Sequence, residues 1–85
     1  MSKIFTYEDI KKTVLTSLKN YTSFPESSIT EKTGIREIGL DSLDMLELGM
    51  DIELIYNIDI SDEEIEKINY IKDLINLTFR KIKEK

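Results

Sequence analysis

The chain has 85 residues, with 12 Lys and Arg against 17 Asp and Glu, and no Cys or His. That is enough for a single domain spanning 1–85, just above the ~70–80 residues below which one hydrophobic core rarely stabilises a fold unaided. Without Cys there is neither a disulfide nor a thiolate metal site, and without His the commonest general base and metal ligand is missing, so hydrolytic catalysis is not expected.

Thr6-Tyr7-Glu8-Asp9 has the spacing of a capping box, and Ile10, Val14, Leu15, Leu18 and Tyr21 follow at helical intervals. The pattern predicts a first helix over about residues 7–20. Between Asn20 and Asp41, Pro25, Gly34, Gly39 and several Ser and Thr residues interrupt any period. A long loop is expected there, pinned by Ile29, Ile35 and Ile38.

Gly39-Leu40-Asp41-Ser42-Leu43-Asp44 reads as the end of that loop and the start of a second helix. Asp41 can cap it, Asp44 can reach back to free N–H groups, and Ser42 falls on the exposed first turn. Ser is itself a common cap residue, so taken alone Ser42 is either a terminator of the helix or a hydroxyl put on display.

Laid out at ~100° per residue, the second helix, about 42–56, separates its apolar residues into two stripes. Met45, Leu48, Ile52, Ile55 and Tyr56 share one side. Leu43, Leu46, Met50 and Leu54 share the other, flanked by Asp44, Glu47, Asp51 and Glu53. One stripe suffices for a core, so the acid-edged one is read as a surface for a partner. A helix buried on most sides would give the same pattern.

Ser61-Asp62-Glu63-Glu64 forms another capping box, opening a short third helix that carries Ile65 and Ile68. Asn69 is expected to cap a last helix from about Tyr70 to Lys83, with Ile71, Leu74, Ile75, Phe79 and Ile82 inward and basic residues at its C-terminal end. Leu48, Ile52, Ile60, Ile65, Ile68 and Leu74 are expected to meet in the interior. The acidic run from Asp59 to Glu64 lacks the central Gly and the spaced bidentate Glu of a calcium loop, so no metal site is expected.

The string from Ile35 to Leu48, Ile-Arg-Glu-Ile-Gly-Leu-Asp-Ser-Leu-Asp-Met-Leu-Glu-Leu, resembles the prosthetic-group site of acyl carrier proteins. The resemblance implies an all-α, four-helix bundle of acyl-carrier type, with three longer helices, one short helix and a long first loop. It implies a 4′-phosphopantetheine arm, taken from coenzyme A by a phosphopantetheinyl transferase, esterified to Ser42 and bearing acyl thioesters for fatty-acid, polyketide or related biosynthetic enzymes. Such a protein catalyses nothing itself. The positions shown to those enzymes match Asp41, Leu43, Leu46, Glu47, Met50 and Glu53, and the stripe adds Asp44 and Leu54. The resemblance also implies that the core residues named above can part to shelter an acyl chain. Helix order follows the family over about residues 6–82, with a close match over 35–68. Leu54 stands where fatty-acid carriers usually have an acid, Gly49 where they have a larger apolar residue, and Ile35 where an aromatic is frequent.

From Glu37 to Glu66 there are eleven acids and no Lys or Arg. Such a field repels nucleic acid and favours enzymes with basic docking patches. The stretch from Met1 to Glu8 has no apolar core of signal-peptide length, and no apolar run approaches the ~20 residues of a membrane span. A soluble, cytoplasmic, free-standing monomer is expected. The alternative from another class is an acidic helical adaptor that binds a basic protein and carries no prosthetic group.

Overall fold

A computed structural model of the protein describes residues 4–85. Residues 1–3, the start of the segment expected to hold no signal peptide, lie outside the described residues. Among the described residues there are four α-helices: α1 (Tyr7–Leu18), α2 (Ser42–Tyr56), the short α3 (Asp62–Glu66) and α4 (Ile71–Lys83). The helical bundle expected from the sequence is therefore the one observed. Helix α1 packs on α4 and α2, and α2 packs on α3.

Helix α1 starts where its capping box requires. Thr6 Oγ1 accepts from the Asp9 N–H at 3.1 Å, and the Asp9 carboxylate accepts from the Thr6 N–H at 3.0 Å. Ile10, Val14 and Leu18 are fully buried. Each such side chain contributes about 1.5–3 kcal/mol relative to exposure. The helix ends at Leu18, two residues short of the expected boundary, because the N–H groups of Asn20 and Tyr21 turn back onto the Ser17 and Leu18 carbonyls. Tyr21 therefore lies outside the helix, and its hydroxyl donates to the Asp51 carboxylate on α2.

The long loop contains two 3-10 turns, Glu26–Ser28 and Ile35–Ile38. It is pinned as expected by Ile29, Ile35 and Ile38, with Leu40 buried beside them. Its second half is also stitched to the start of α4. The Ile71 N–H donates to Thr33 O at 2.9 Å, the Lys72 N–H to Glu31 O at 2.8 Å, and the Ile35 N–H to Asn69 O at 3.0 Å. These bonds correct one expectation, that Asn69 caps α4. Asn69 is occupied in this pairing, the N-cap is Tyr70, and the carboxylate of Asp73 accepts from both the Asn69 and Tyr70 N–H groups, at 3.1 and 2.9 Å.

On α2 the inward stripe is Met45, Leu48, Ile52 and Tyr56, all buried. Ile55, expected on the same side, is instead 53% exposed. It sits at the edge of the stripe in the last turn, facing an open groove whose other wall is the polar Asp9, Lys12 and Thr13 of α1. On α4, Ile71, Leu74 and Ile75 are fully buried, and Phe79 and Ile82 are half-buried against the core. Leu77 and Thr78 are buried too, the Thr78 hydroxyl donating to Leu74 O at 2.8 Å. Among the described residues no helix is long and apolar enough to cross a membrane.

Candidate functional site

The end of the long loop presents Ser42 through alternating burial. Ile38 and Leu40 are buried, while Gly39 between them is exposed and turns the chain with φ at 79°, a conformation that costs other residues about 1–2 kcal/mol. Asp41 then caps α2, its carboxylate accepting from the Asp44 N–H at 2.8 Å, and the Asp44 carboxylate accepts from the Asp41 N–H at 3.2 Å. The two aspartates thus do the capping that Ser42 was alternatively expected to do. Ser42, the first residue of α2, is exposed.

Beside Ser42 lies a cavity of about 670 Å³, open on one side. Its apolar wall is Ile35, Leu40, Met45, Leu46, Ile65 and Ile68, and its rim carries Arg36, Glu37, Glu66, Asn69 and Tyr70. Of the residues expected to form an acyl pocket, Ile65 and Ile68 line this space. Leu48, Ile52, Ile60 and Leu74 are buried in the core away from it.

The acid-edged face of α2 is solvent-facing for Asp41, Leu43, Glu47, Met50 and Leu54, with Leu43 at 63%, Met50 at 60% and Leu54 at 83% exposure. Leu46 and Asp44 are half-buried, Leu46 against the core and the cavity. Glu53 is half-buried, and its carboxylate accepts from the Ile60 N–H at 3.0 Å, holding the α2–α3 connection. Asp51 is likewise engaged by Tyr21. That bond, together with partial burial, pushes the Tyr21 hydroxyl up to about 12.

Spacing gave no sign of Glu64 as the tie between α3 and α4. Its carboxylate accepts from the Ser61 N–H at 3.0 Å and pairs with Arg80 at 3.1 Å and Lys81 at 3.0 Å. The Ser61 backbone bond, then the Lys81 ammonium, hold its pKa down at about 2. A carboxylate one turn from a cap shows itself in sequence, but its partners sixteen and seventeen residues away do not.

The family model for the phosphopantetheine attachment site matches residues 12–78. The chain belongs to the acyl carrier protein family. It is 40% identical to an acyl carrier protein homolog of Mycoplasmopsis pulmonis over 87% of this chain and 97% of that protein. With an acyl carrier protein of Phytoplasma australiense it shares 43% identity, over 73% of this chain and 83% of the other. The crystal structure of an acyl carrier protein from Thermotoga maritima superposes with a TM-score of 0.81 at 28% identity, covering 92% of each chain.

As an acyl carrier protein it works with a 4′-phosphopantetheine prosthetic group and is a carrier rather than a catalyst. The residues present fit such a group. An exposed hydroxyl stands at the start of α2 without capping duty, and open space with an apolar wall and a polar rim adjoins it.

Proposed function

We infer that Ser42 is the attachment point, and that the protein carries acyl intermediates to fatty-acid, polyketide or related biosynthetic enzymes in the cytoplasm, as a monomeric single domain. The observation that carries the reading is the exposed Ser42 hydroxyl at the first position of α2, left over once Asp41 and Asp44 have capped the helix. When bound, the group supplies a thiol on a flexible arm, on which acyl cargo is held as a thioester.

The chain's own residues do the rest. The N-terminus of α2 turns the positive end of its dipole toward a phosphodiester on Ser42, a stabilisation of about 0.3–1 kcal/mol at an exposed site. Gly39 and the buried Leu40 fix the position of that helix start. Leu43, Glu47, Met50 and Leu54, with Asp41 and Asp44, form the face offered to a phosphopantetheinyl transferase and to synthase enzymes. The Met side chain adapts to differing partners. Eleven acids between Glu37 and Glu66 without a cation favour basic docking patches. The exposed Leu54 favours an apolar contact where other carriers present an acid. Glu53 acts mainly on the loop it holds.

Mass spectrometry tests the reading after incubation with coenzyme A, Mg²⁺ and a broad-specificity transferase. The expected result is a gain of one phosphopantetheine in the wild type and none in Ser42→Ala, with stability unchanged to within about 0.5 kcal/mol because Ser42 caps nothing. A Ser42→Ala protein that still gains the mass refutes the assignment. An unmodified wild type favours the acidic adaptor.

A further inference from the structure

The cavity beside Ser42 reaches a contact between α2 and α3. Met45 and Leu46 are the apolar cavity wall on α2; Gly49 lies one turn beyond Met45 on the same stripe, and Ile52 the next turn on. Gly49 is buried, and a Cβ there would lie 2.8 Å from Cδ1 and 3.3 Å from Cγ1 of Ile65. The missing side chain is thus a notch that the end of Ile65 fills. Ile65 is also a wall of the cavity, whereas Leu48 and Ile52, fully buried, are not. Ile65 therefore borders both the open space and the notch at Gly49, ~10 Å along the helix axis from Ser42.

We propose that Ile65, seated in the notch at Gly49, is the floor of this cavity and sets the length of acyl chain that the protein shelters. The proposal rests on the reading that cargo carried at Ser42 enters the cavity. Methylenes short of the floor leave water, each multiplying the sheltered-to-exposed ratio about fourfold, the equivalent of ~0.8 kcal/mol. Methylenes beyond it meet the Ile65 side chain and gain no further shelter unless the closely packed core behind it parts, which costs packing contacts. The Gly at position 49 is what lets Ile65 stand so far back, so the two residues set the depth together.

The test is to load the protein with straight acyl chains of increasing length and to time cleavage of the thioester by hydroxylamine. In the wild type, protection is expected to climb by up to about fourfold per methylene and then level off at a limiting length. Ile65→Val, which removes only the methyl seated in the notch, moves that limit to longer chains. Gly49→Ala pushes Ile65 back toward the cavity and moves it to shorter ones. The Gly49→Ala/Ile65→Val double variant returns toward the wild-type limit. In unaltered protein, NMR places the terminal methyl of a limiting-length chain against the Ile65 side chain, which tests the floor without a variant. An identical limit in all four proteins overturns the role of Ile65 while leaving sheltering intact. Protection independent of chain length in the wild type overturns sheltering itself.

Discussion

Replacing Glu64 by Gln removes a charge and keeps an oxygen for the Ser61 N–H, so it isolates the electrostatic part of the tie between α3 and α4. The carboxyl pKa falls from its ordinary 4.5 to about 2 in the folded protein. At about 1.4 kcal/mol per unit the ceiling is about 3 kcal/mol. Arg80 is 58% exposed and Glu64 itself 25%, so solvent screens the pair, and about 1–2 kcal/mol is the expected contribution. Because the folded-state pKa is the lower one, this stability is present above pH 4.5 and is lost as pH falls toward 2. Urea unfolding of the wild type and of Glu64→Gln at a series of pH values measures it. The difference in unfolding free energy should be about 1–2 kcal/mol at pH 6–7 and shrink toward zero by pH 2. A difference that persists unchanged at pH 2, or is absent at pH 7, refutes the assignment of the tie to the Glu64 charge.

Asp41→Ala removes the α2 cap and should cost about 1 kcal/mol in urea unfolding, against almost nothing for Ser42→Ala one residue on. Gly39→Ala meets no atom within 4 Å, so its expected cost of about 1–2 kcal/mol arises from the positive φ alone, read as a lowered melting temperature. In an ultraviolet titration one of the four tyrosines should ionise near pH 12, and Tyr21→Phe should remove that step. Since this pKa is raised on folding, the associated stability is present below pH 10 and is lost as pH rises toward 12.

Three of the four helix starts were legible because a capping box is local. Thr6 with Asp9, Asp41 with Asp44, and Ser61 with Glu64 each lie three residues apart, and each forms as written. The start of α4 misled because its N–H groups are met by a distant loop, and Asn69 sits within that pairing. Angular periodicity placed Met45, Leu48, Ile52 and Tyr56 correctly but could not foresee that the far end of α2 faces polar residues of α1, which leaves Ile55 in solvent. The site divides in the same way. Ser42 and its aspartates follow from a short string, whereas the cavity wall draws on the loop, α2, α3 and the approach to α4, which meet only in the folded chain. Gly49 shows in the sequence only as a departure from the larger apolar residue expected there; the Ile65 side chain that occupies its place is visible only in the folded chain.

The hydrogen bonds from Ile71 and Lys72 to the carbonyls of Thr33 and Glu31 join segments about forty residues apart. During synthesis the loop is made long before its acceptors have donors to receive, and a local sequence signal cannot supply them. Gly34 and Tyr70, on opposite sides of that seam, both border the cavity. The cavity end of the molecule thus takes its full shape only when the C-terminal helix is in place.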